Sequence, residues 1–122
     1  MKDFRQELYE NGYFRQEELC FADCDRYQRA RVSGLLNKAA AYAGYDYNAR
    51  GLTHDMLFEM GEVFLLSRLA MRIHRIPMAG DVLDIATYEN GVKGAHMQRV
   101  YEMKDQTGEV RVSVKSDWIL VN

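Results

Sequence analysis

The stretch ARVSGLLNKAAAYAGYDYNARG (residues 30–51) decides the fold. Val32, Leu35, Leu36, Ala39, Ala40, Ala43 and Tyr47 recur at the spacing of one helix face, and Ala39-Ala40-Ala41 has high helix propensity. Gly51 supplies a stop. The apolar stripe is rich in alanine, and small side chains let a helix sit close to whatever covers it. The spacing predicts an amphipathic helix over about 30–50, laid against a sheet.

Downstream the period changes from helical to two. Val63, Leu65, Leu69, Met71 and Ile73 alternate with Phe64, Leu66, Arg68, Ala70, Arg72 and His74, as in a long strand covered on both sides where it begins. Pro77 and Gly80 break that strand. A second runs from Val82 to Tyr88, and Asn90-Gly91 is a strong turn dipeptide. Ala95 to Met103 forms a third, which Gln106-Thr107-Gly108 turns back. In the last, Val110, Val112, Val114, Ser116, Trp118 and Leu120 alternate with mostly polar neighbours. Upstream, Leu19 to Cys24 reads as a first strand, and Asp25 to Arg29 as a polar lead into the helix.

The expected organisation is therefore an N-terminal arm over 1–18 and a single domain over 19–122. Its class is α+β, with an antiparallel meander wrapped around one central helix. Trp118 and the valines at 110, 112 and 114 should face inward or toward a partner. One helix covers only one face of such a sheet, so the apolar surface left over calls for a second copy and predicts a homo-oligomer.

A chain of 122 residues suffices for one core, and 48% hydrophobic with 28% charged residues argues against disorder. A net charge of -2 gives no bulk attraction to nucleic acid. No apolar run approaches the roughly 20 residues that span a bilayer, so no membrane association is expected. Met1 to Arg5 is charged but not followed by an apolar stretch, which does not fit a signal peptide. Cytoplasm is the expected compartment. Cys20 and Cys24, if extended, lie about 13 Å apart, too far to bridge, and their spacing makes no metal site. They read as reduced thiols.

At this point the residues resemble a known family. Leu35-Leu36-Asn37 with its alanine-rich helix, Phe64 to Arg68, and Ile73 to Pro77 with Gly80-Asp81 look like the amino-terminal hot-dog half of acyl-(acyl carrier protein) thioesterases. So do Arg99 and Tyr101, Gly108-Glu109, and the closing Ser116 to Asn122. The likeness runs through about residues 19–122. It implies a hot-dog fold, hydrolysis of a fatty-acyl thioester of a carrier protein or coenzyme A in fatty acid biosynthesis, and no metal or organic cofactor. In that family two such units are fused, and the catalytic Asp-x-Asn-x-His residues lie in the second. The equivalent stretch here is Asp25-Arg26-Tyr27-Gln28-Arg29, where the Asp is kept and Tyr27 and Arg29 replace the Asn and His. An amino-terminal half should look so. The competing reading is a non-catalytic acyl or carrier-protein binding module, or a dimer-forming one.

Thioester hydrolysis needs a bound oxyanion and an activated water. By resemblance, the helix N-terminus serves the first, with Gly34 permitting close approach. Asp25, just before the helix, and Glu59, just before the long strand, are the candidate bases, against a plain reading as solvated carboxylates. Arg26, Arg29 and Arg31 cluster where the helix dipole disfavours cations, which suits an acidic carrier or phosphopantetheine; pairing with Asp23 and Asp25 is the alternative. Met56, Met60, Phe64 and Met71, with Phe58 and Met97, would give an adjustable lining for an acyl chain, or else simple core.

Overall fold

The computed structural model describes residues 6–8 and 12–122. Among these, the strands are β1 (Gln6–Leu8), β2 (Gly12–Glu18), β3 (Val63–Ile73), β4 (Val82–Lys93), β5 (His96–Lys104) and β6 (Val110–Val121). The helices are α1 (Val32–Ala49) and α2 (His54–Glu59). All strands join one antiparallel sheet in the order β1-β2-β4-β5-β6-β3.

α1 forms where expected and ends at Gly51, whose φ of 84° is the left-handed cap. Its buried face is Leu35, Ala39, Tyr42, Ala43 and Asp46, whereas Val32 and Ala40 of the expected stripe are exposed. Leu35 and Ala39 pack with Tyr13 of β2, Ile85 of β4, Met103 of β5 and Val114 of β6, and Leu69 and Met71 of β3 close on the same cluster. Strands from both sides of the sheet thus reach one helix. The sheet curls around it.

Four expectations change. Leu19 to Cys24 is not a strand: Phe21–Asp23 is a 3-10 turn, and the strand that precedes α1 is β2, paired along its length with β4. The boundary at 18/19 consequently falls at the end of a sheet strand, and much of the expected arm is part of the sheet. The rest of that arm, residues 1–5 and 9–11, lies outside the described residues.

Asn90-Gly91 does not turn the chain. It sits in a bulge where the register of β4 and β5 shifts between Glu89 and Val92. The turn falls at Gly94-Ala95, where Gly94 adopts φ 63°, as the first position of a two-residue hairpin requires.

The meander holds only for β4, β5 and β6. β3 pairs with β6 and forms the far edge. The link after β3 is no tight hairpin, because it is held elsewhere. Ala30 N–H donates to the Pro77 carbonyl, Ala79 N–H to Gln28, and Gly80 N–H to Leu19. These bonds carry residues 77–80 past the foot of α1, so β4 begins beside β2. Val112 and Val114 point inward and are fully buried, while Val110 and Trp118 are half-buried.

Candidate functional site

α1 carries a second stripe beside its buried one. Ala40, Ala43, Gly44 and Tyr47 stand at i, i+3, i+4 and i+7, so they share a face. They border a cleft of about 220 Å³ whose other walls are Val63 and Phe64 of β3, Met97 and Arg99 of β5, Trp118 of β6 and Leu57 of α2. The cleft exists because three of the four helix residues are alanine or glycine. Larger side chains would fill it. Tyr47 and Phe64 stack across it with ring centroids 5.4 Å apart.

Beside these apolar walls lies a buried ion pair. Arg99 Nη1 donates to Asp46 Oδ2 at 2.9 Å and to Thr87 Oγ1 at 3.1 Å, with both charged side chains about 0–1% exposed. Arg50 Nε donates to the other oxygen of Asp46 at 2.8 Å. The Arg99 guanidinium also lies 4.9 Å from the Tyr47 ring centre. Burial alone would lower the Arg99 pKa, but Tyr47 and Asp46 outweigh it and hold the group above its ordinary value. Burial pushes the Tyr47 phenol up, so it stays a neutral donor, to Glu89 at 3.2 Å and Met97 Sδ at 2.8 Å.

A wider, open depression of about 500 Å³ is lined by Arg68, Asn90, Lys93, His96, Gln98 and Asp117 around the β4 bulge. Its mixed charges leave it wet. For a hydrocarbon chain the smaller, apolar cleft is the better match.

The structure does not gather the residues singled out from sequence. Asp25 closes a small hairpin in which Cys24 and Ala30 pair and Gln28 takes φ 65°. Its Oδ1 accepts from the backbone N–H of Tyr27 at 2.8 Å and of Arg29 at 3.0 Å, and its Oδ2 accepts from Arg29 Nε at 3.0 Å. Desolvation raises its pKa, but these bonds more than reverse that and hold the carboxyl below its usual value. A carboxylate so engaged is a poor base. Glu59 is exposed at the end of α2 and does not border the cleft. The two candidates attach to opposite ends of α1, a helix about 27 Å long.

Gly34 does permit close approach, but the visitor is Asp23: a Cβ there would lie 2.9 Å from the Asp23 carbonyl oxygen. That oxygen already accepts from Arg31 N–H at 2.9 Å. Arg26 and Arg29 flank the exposed Tyr27, with guanidinium carbons 4.7 and 4.9 Å from its ring centre, and Arg31 is the exposed N-cap of α1. Of the expected lining, Phe64 and Met97 border the cleft. Met56 on α2 and Met60, the C-cap of α2, are exposed, and Met71 packs into the core. Cys20 and Cys24 are free thiols, and among the described residues no three His, Cys, Asp or Glu side chains converge as metal ligands would.

The model of the acyl-ACP thioesterase N-terminal domain matches residues 10–122. The chain belongs to that family. Among solved structures it is similar to a Lactobacillus plantarum protein assigned as an oleoyl thioesterase, at 24% identity and a TM-score of 0.87, covering 91% of this chain and 43% of that one. An acyl-ACP thioesterase from Bacteroides thetaiotaomicron gives 22% identity, a TM-score of 0.83, and coverages of 91% and 46%. A 1,4-dihydroxy-2-naphthoyl-CoA thioesterase from Synechocystis, at 11% identity, gives a TM-score of 0.83 over 90% of this chain and 82% of its own. Identities this low establish the fold, which is the hot-dog fold. The chain spans less than half the length of the first two. Among curated proteins none matches significantly.

The pair behind the cleft yields a stability prediction. Asp46→Ala strands a buried guanidinium and should cost about 3–5 kcal/mol, whereas Asp46→Leu with Arg99→Met should stay within a few kcal/mol of the parent. Urea unfolding of both variants checks this, and equal losses would contradict it.

Proposed function

We propose that the cleft between α1 and strands β3, β5 and β6 receives the acyl chain of a thioester carried by carrier protein or coenzyme A. On this reading the chain is the substrate-binding unit of a fatty-acyl thioesterase of fatty acid biosynthesis, working in the cytoplasm. What supports it is the cleft itself: a ready apolar slot, fronted by alanine and glycine, in a chain of this family. The engaged Asp25, with Tyr27 and Arg29 where the family's second unit has Asn and His, leaves activation of water to another unit. The purified chain should bind long-chain acyl thioesters and hydrolyse them weakly or not at all. Robust turnover abolished by Asp25→Ala or Glu59→Ala would make that carboxylate the general base.

Gly44 gives the direct test. A Cβ built there meets nothing within 4 Å, so Gly44→Leu has room to enter the cleft mouth. Replacing a mid-helix glycine stabilises by roughly 0.5–1 kcal/mol. The variant should therefore hold or raise its melting temperature while losing acyl binding in titration calorimetry. Unchanged binding would remove the chain from the cleft.

The β3 edge supports an assembly. Eleven residues long, it exposes Leu65 at 52% and Leu66 at 48%. Long apolar edges are normally covered, and the natural cover is a second hot-dog unit, supplied here by another copy of the chain. Sedimentation at tens of micromolar, an order-of-magnitude choice for a protein interface, should give twice the mass of the chain; a well-folded monomer would count against it.

The basic rim around Tyr27 is read as the carrier contact. Arg29→Glu should weaken binding of an acidic carrier protein more than that of a neutral acyl analogue, since rim charges act mainly on charged partners. Equal losses for both ligands would point to misfolding of the hairpin instead.

A further inference from the structure

The apolar cleft has one wall that a plain hydrocarbon cannot satisfy. A guanidinium carries five N–H donors, and among the described residues Arg99 is hydrogen-bonded through Nη1, to Asp46 and Thr87. Nε and Nη2 are buried, and among the described residues they find no hydrogen-bond acceptor. Nη2 lies 3.6 Å from the Glu89 carboxylate, beyond hydrogen-bonding reach, and the guanidinium carbon lies 4.9 Å from the Tyr47 ring centre. Buried donors left unmade forfeit their hydration without replacement. Arg99, itself fully buried, is one of the residues that line the cleft.

The surrounding charge selects the kind of atom that completes them. Asp46 lies between Arg99 and Arg50, at 2.9 and 2.8 Å, and Glu89 stands beside Arg99. Among the described residues two cations here face two anions, and Arg50 also donates to the Gly12 carbonyl. A carboxylate on the ligand would add an uncompensated negative charge next to Glu89 and Asp46, whereas a hydroxyl or oxo oxygen adds none. We propose that the cleft selects acyl groups bearing a neutral oxygen, hydroxyl or oxo, along the chain, and that Arg99 is the residue that determines this preference. The inference rests on the acyl-cleft reading and sharpens its substrate class.

The test uses the whole chain and coenzyme A analogues in which a methylene replaces the thioester sulfur, so nothing turns over. Plain decanoyl, hydroxy- and oxo-decanoyl isomers with the oxygen moved along the chain, and an ω-carboxy analogue are titrated calorimetrically. The thioester-type carbonyl is common to all, so differences report on the added oxygen alone. At least one hydroxy or oxo isomer should bind about tenfold tighter than the plain chain, the gain of one hydrogen bond to a charged donor, and the ω-carboxy analogue no tighter. In the Arg99→Met, Asp46→Leu double variant, checked for folding by circular dichroism, that preference should shrink to about twofold or less. A plain chain that binds as well as every isomer overturns the role of Arg99 and leaves the cleft as an acyl site, and so does a preference that survives in the folded double variant. Failure of all the ligands to bind overturns the acyl reading itself, and this inference with it.

Discussion

Arg99 and Asp46 join the middle of the sheet to the C-terminal half of α1, and much else follows from that contact. β5 is flanked by β4 and β6, so Arg99 rises from an interior strand. Toward its N-terminus, α1 is held by Leu35 and Ala39 in the core cluster. Toward its C-terminus the tie is a long arginine meeting a carboxylate at 2.9 Å. An ion pair buried this deeply loses hydration on both sides, so it contributes little net stability over an apolar pair of equal size. What it fixes is position: beside this tie Ala40, Ala43 and Gly44 border the cleft, which Arg99 also lines.

This explains which parts of the fold were legible in the sequence. α1 and the alternating strands β3, β4 and β6 show their period directly, because burial on one side imprints it. The stripe on α1 was read as one face when it is two, since alanine suits a tight core and an open cleft equally well. β2 was hidden for the opposite reason. Arg15, Gln16 and Glu17 look like solvent-facing residues, yet Gln16 donates to Asp84 at 2.9 Å and Glu17 accepts from Tyr42 at 2.8 Å and pairs with Lys38. Cross-strand and strand-to-helix partners of this kind leave no trace in a single stretch of sequence. The partner of β3 was equally out of reach, because it depends on hydrogen bonds between residues 77–80 and the distant Leu19, Gln28 and Ala30.

The polar half of the site did leave a signal. Asp46 falls four residues after Tyr42 and seven after Ala39, on the buried stripe of α1. Arg99 falls in register with Met97, Tyr101 and Met103, the buried side of β5. A lone acid on one inward stripe and a lone base on another, of opposite sign, are each other's natural partners, because neither can be buried alone. Asp25 and Glu59, by contrast, drew attention through position along the chain. Asp25 does have a task that needs a carboxylate, but the task is to close a hairpin whose Gln28 sits at positive φ.

Sheet edge and cleft wall meet on one strand. β3 is an edge strand of the sheet, and its first two residues, Val63 and Phe64, also line the cleft. Any strand that pairs with this edge therefore runs beside the cleft wall, and the exposed Leu65 and Leu66 follow directly after the two lining residues. The register shift between Leu66 and Arg68 turns the edge at that same point. A unit seated there would cover apolar surface and stand next to the slot at once.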